Sequence, residues 1–72
     1  MIAAPLTEVR LIIERQDPII MRWWPMPGAV FTTGELDKAK VAAARMDGVI
    51  RLLRVIGNHA KVLGVWHAGQ RN

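Results

Sequence analysis

The 72-residue chain contains no cysteine, tyrosine or serine, only one phenylalanine, and no acidic residue after Asp47. Without cysteine there is no disulfide framework and no thiolate zinc site, and without serine as well the two commonest covalent nucleophiles are missing. No apolar run approaches the ~18 residues of a membrane span, so no membrane partner is expected. Met1 to Leu6 lacks the basic start and long apolar stretch of a signal peptide before Glu8 and Arg10 interrupt it. The expectation is therefore a cytoplasmic protein, and the length permits a single small domain over residues 1–72.

What is present is apolar and basic. Half of the residues (51%) are hydrophobic, far more than a disordered chain carries, and the formal net charge is +4. A chain of this size withdraws only about 60% of its unfolded surface from water, and natural domains of about 70 residues often need a staple. With no disulfide and no expected metal or cofactor, self-association is the simplest remedy, and a homodimer is the expectation.

Along the chain, Val9, Leu11 and Ile13 alternate with Glu8, Arg10, Ile12 and Glu14, which predicts a strand over 7–15 with one wet face. Asp17-Pro18 supplies a turn, a second strand is predicted over 19–24, and Pro25-Met26-Pro27-Gly28 is expected to end it. Phe31-Thr32-Thr33-Gly34-Glu35-Leu36 then has the spacing of a capping box, Thr32 with Glu35, and of a hydrophobic staple, Phe31 with Leu36. A helix over 33–47 follows, with Leu36, Ala39, Ala42, Ala43 and Met46 on one stripe and Gly48 suited to a left-handed position at its end.

Residues 49–56 and 59–67 are predicted as a hairpin around Gly57-Asn58 with a type II′ turn. A helix over 49–56 would also put Arg51 and Arg54 on one wet side, but four β-branched residues in these eight positions favour the strand. A two-residue turn would pair Val55 with Ala60, Leu53 with Val62, Arg51 with Gly64 and Val49 with Trp66 on the face toward the helix. The opposite face would hold Ile56 with His59, Arg54 with Lys61, Leu52 with Leu63 and Ile50 with Val65. The expected fold is α+β, with element order β-β-α-β-β and one helix on one face of an antiparallel sheet.

Signals for chemistry are sparse. His59 and His67 are eight residues apart on one strand, about 27 Å at ~3.4 Å per residue, too far to share an ion within one chain. No carboxylate follows Asp47 to pair with either ring, and no glycine-rich loop sits between a strand and a helix start. An enzyme is not expected. The charge distribution says more. Residues 1–48 carry six bases and all six acids, so the whole +4 belongs to Arg51, Arg54, Lys61 and Arg71. A ribbon of this kind suits an acidic protein surface or the phosphates of nucleic acid, and it also serves as a solvated edge.

Trp23-Trp24 is the other candidate, because adjacent strand residues point to opposite faces and one indole can be presented outward near Arg22 while the other enters the core. Which one does so depends on the register of the first hairpin. The candidate partner-binding residues are thus Arg22, Trp23, Trp24, Arg51, Arg54 and Lys61. One short helix cannot cover both faces of a sheet, and the face expected to remain bare, and so to form a dimer interface, carries Ile50, Leu52, Leu63 and Val65.

Two strands, a capped helix and a hairpin in a short chain resemble many small accessory proteins of phages and mobile elements, several anti-CRISPR proteins among them. The likeness covers most of the chain and rests on element order, so no functional residue follows from it. It implies a non-catalytic protein that docks on another macromolecule and occludes it. The alternative is a nucleic-acid-binding module that uses the basic hairpin.

Overall fold

The computed structural model describes residues 9–68; Thr7 and Glu8 of the expected first strand, and Arg71, lie outside them. The elements are β1 (Val9–Gln16), β2 (Trp23–Thr32), a 3-10 turn (Thr33–Glu35) leading into α1 (Leu36–Ala44), β3 (Gly48–Ile56) and β4 (His59–Ala68). All strand pairs are antiparallel in a sheet of order β2-β1-β3-β4, so β1 and β3 are central and β2 and β4 are edges. The single helix packs on one face. The β-β-α-β-β order and the α+β class are those expected from the sequence.

The helix begins where local chemistry places it. The Thr32 backbone N–H donates to Glu35 Oε1 at 3.0 Å, and the Thr32 hydroxyl donates to the same oxygen at 3.2 Å. These bonds tie down the first turn, whose N–H groups have no partner within the helix. Phe31 and Leu36 both pack against the core. Ala39 and Ala43 are completely buried, with Ala42 and Met46 beside them, so the expected stripe is the one that meets the sheet. The α-helix stops at Ala44, shorter than the 33–47 span expected, and Gly48 (φ +94°) makes the bend into β3. Under the helix lie Leu11 and Ile13 from β1, Ile50 and Leu52 from β3, and Ala29 from β2.

Two strands depart from the expectation. Ile19 to Arg22 form a loop, and β2 begins only at Trp23 and runs straight through the proline cluster. An edge strand tolerates proline because one side of its backbone needs no partner. Here the cluster also sits in a wide bulge: Val30 pairs with Ile12 and Pro25 with Glu14, so Met26 to Ala29 all stand opposite Ile13. Gly28 (φ +75°) provides the left-handed residue this excursion needs.

The second departure decides the faces of the hairpin. Gly57 has φ +57° and Asn58 is not among the positive-φ residues, as a type II′ turn requires. From Ile56–His59 to Leu53–Val62 the pairs are those expected. The register then slips: Leu52 pairs with Gly64, leaving Leu63 as the extra residue of a bulge, and Arg51 pairs with Val65, Ile50 with Trp66 and Val49 with His67. Trp66 packs against the core as expected, but its neighbour there is Ile50 rather than Val49. The opposite set of β3 side chains, Val49, Arg51, Leu53 and Val55, therefore faces away from the helix.

Candidate functional site: the uncovered sheet face

The face turned away from α1 is built by the register alone. Across all four strands run Val30, Ile12, Leu53 and Val62 as direct neighbours, an apolar row from one sheet edge to the other. Val55 lies on one side of Leu53, and Val65 stands across from Arg51 on the other. Leu53 is buried by these neighbours, whereas Val30, Val62 and Val65 are 53%, 46% and 48% exposed. No described element lies over them.

Beside this row is a polar cluster. Glu14 and Arg51 are direct cross-strand partners, and the guanidinium meets one carboxylate oxygen twice, from Nε at 2.7 Å and from Nη2 at 2.6 Å. Both side chains are mostly shielded, Arg51 at 26% and Glu14 at 17% exposed. The guanidinium also lies over the Trp23 ring, 4.2 Å from its centroid, a distance at which the ring face attracts a cation.

The candidate residues thus separate into three places. Trp23 and Arg51 stand together on the uncovered face, joined by Glu14, which the sequence reading left out. Trp24 points to the helix side, 47% exposed, with Arg22 over its ring at 5.3 Å. Alternation of the two indoles was legible, but neither belongs to the core cluster. Arg54 and Lys61 face each other across β3 and β4, both exposed, on the helix side of the sheet and away from Arg51. Among the described residues neither has an acidic partner.

The expected dimer face needs correction. Ile50 and Leu52 are fully buried beneath the helix and Leu63 packs against the core; of the four, only Val65 lies on the uncovered face. The extra residue at Leu63 reverses which β4 side chains accompany Ile50 and Leu52, and strict alternation from the turn could not reveal it. Ile12 was legible as a wet-face residue of β1. Val30 was hidden by the proline cluster, and Leu53, Val55 and Val62 were placed on the wrong face.

Beyond the sheet, Asp17 to Arg22 form a tightly bonded loop. Asp17 Oδ1 accepts from the N–H groups of Ile19 (2.8 Å) and Ile20 (3.1 Å), which hold the Asp17 carboxyl below its ordinary pKa. The Met21 N–H donates to the Asp17 carbonyl and the Asp17 N–H to the Arg22 carbonyl. This holds Met21 at φ +61° and leaves Ile19 87% exposed. A cleft of about 810 Å³ lies between the loop, Trp24 and the Asp47-Gly48 bend.

Among the described residues no three histidine or acidic side chains gather as a metal site, and no helix is long and apolar enough to cross a membrane. The fold and this face define a small α+β domain with an apolar sheet surface that no described element covers. Comparison with protein-family models, with curated proteins and with solved structures returns no match.

Proposed function

We propose that the chain is a non-enzymatic binding protein that pairs with a second copy of itself through the uncovered sheet face and docks, as that dimer, on another macromolecule. The observation that carries the reading is the row Val30, Ile12, Leu53 and Val62, apolar from edge to edge and half-exposed at both ends. Contiguous apolar surface of this kind normally meets a partner. The charge on the face favours a second copy over a polyanion, because Arg51 is already neutralised by Glu14 and Arg10, beside Val55, is the one other cation there among the described residues. A two-fold axis through such a row lays apolar side chains on their own equivalents. Docking without chemistry is also what the resemblance to phage accessory proteins implies.

The nucleic-acid reading is weakened by the same ion pair. With Arg51 engaged, the hairpin offers Arg54 and Lys61 side by side, few bases beside the six to ten phosphate contacts of strongly salt-dependent binders.

Sedimentation velocity at micromolar concentration tests the proposal. The wild type should sediment as a dimer and the Val30→Asp/Val62→Asp variant as a monomer with unchanged far-UV circular dichroism. A wild type that stays monomeric and binds no hydrophobic dye would overturn the reading.

A further inference from the structure

We infer that the outer edge of β4 takes up an extended acidic segment of a partner protein as a fifth strand. The inference rests on the reading of the chain as a docking protein and names its partner's chemistry; it does not depend on dimerisation.

The two edges of the sheet are unlike. Edge β2 is closed to further pairing by its own sequence, because Pro25 and Pro27 have no N–H to donate and Met26 to Ala29 bulge out of line. Edge β4 has ten residues and no proline, and its one irregularity is the bulge at Leu63. Alternate N–H and C=O groups of β4 therefore point outward, which is what strand addition uses for affinity.

The side chains along this edge say which strand fits. Arg54 and Lys61 are direct cross-strand neighbours, an arrangement that is unfavourable unless an anion meets it. No acid follows Asp47 in the sequence to do so, and none does among the described residues. His59 stands on the same side of β4 as Lys61, while Ala60 and Val62 stand on the other. A strand alternating acidic with apolar residues would set its carboxylates beside Lys61 and its apolar side chains beside Val62. A second copy of β4, itself basic, would instead add to the repulsion.

The test uses blocked peptides matching the ten residues of β4: alternating valine and glutamate, alternating valine and lysine, and the glutamate peptide N-methylated at alternate backbone positions. The readout is amide chemical shift and hydrogen exchange in the full chain. The glutamate peptide should shift and protect amides within His59–Ala68, and the lysine peptide should bind about tenfold or more weakly, a difference of about 1.4 kcal/mol. N-methylation should abolish binding, and Arg54→Glu/Lys61→Glu should reverse the preference. If that variant does not fold, Lys61→Gln, which only relieves the like-charge pair, should lower affinity for the glutamate peptide. Equal binding of both charged peptides, survival after N-methylation, or shifts centred on β2 would overturn the inference. A dimer that ignores the glutamate peptide removes this inference alone, and a monomer that binds it removes the dimer alone.

Discussion

At Arg51 a cation, a carboxylate and an indole meet on the side of the sheet that the helix leaves bare. With both charged side chains mostly shielded, removing one leaves the other short of hydrogen bonds in a poorly hydrated place. Arg51→Met should lower stability to urea by about 1–2 kcal/mol, less than a fully buried pair because water still reaches both groups. In a double-mutant cycle Glu14→Gln should be strongly coupled to Arg51→Met, and Trp23→Leu coupled to it more weakly. Additive effects would show that the three side chains do not act together. Two exposed carboxylates give a pH dependence. Asp17, through backbone N–H bonds to Ile19 and Ile20, and Glu35, through bonds from the Thr32 backbone and hydroxyl, both have lowered pKa values. A lowered folded pKa means stability that is present above the ordinary values, 3.8 for aspartate and 4.5 for glutamate, and lost as pH falls through the lowered ones. Acid titration should therefore loosen the 17–22 loop and the start of the helix. Asp17→Asn with Glu35→Gln should flatten that part of the profile when followed by amide chemical shifts.

The helix shows which elements are legible from a sequence. Its capping box, staple and alanine stripe are contacts between residues a few positions apart, so spacing along the chain reports them, whereas Gly48 lies beyond the helix end at Ala44 and opens β3 instead. Ala39 and Ala43 have no exposed surface, and backbone and sheet approach closely there. Ala43→Leu should cost about 1–3 kcal/mol in denaturant midpoint analysis, because a packed site resists added volume. Val41→Leu, on the exposed side, should change little. The strands were legible in number, in order along the chain and in turn type, but the span and pairing of β2, the order of strands in the sheet and the outer half of β4 were not. The pairing of β2 and the outer half of β4 each depend on a bulge, and a bulge is settled between strands distant in sequence. Met26 to Ala29 are accommodated only because β2 is an edge, and Leu63 stands extra only once Leu52 is drawn under the helix. This is why the buried and open roles of Leu52 and Leu53 were exchanged, and why the site came to include Ile12, Val30 and Glu14.

For the molecule as a whole, one helix shields one side of four strands, and among the described residues no element shields the other. If that side is met by a second copy, stability cannot be separated from concentration. Raising protein concentration tenfold should add about 1.4 kcal/mol per dimer and move the thermal midpoint upward. Val30→Asp/Val62→Asp should abolish the dependence. A midpoint in the wild type that stays fixed over that range would argue for an obligate monomer.

The supernumerary Leu63 works as a half-step in the rhythm of the last strand. Loss of that single codon would restore uninterrupted alternation from the turn while leaving Gly64, Val65 and Trp66 opposite Leu52, Arg51 and Ile50, the partners they already have. In a Trp23→Phe/Trp24→Phe background, the lone remaining indole should emit at the same wavelength with and without the deletion, and a red shift would show that the pairing beyond Leu63 depends on the extra residue.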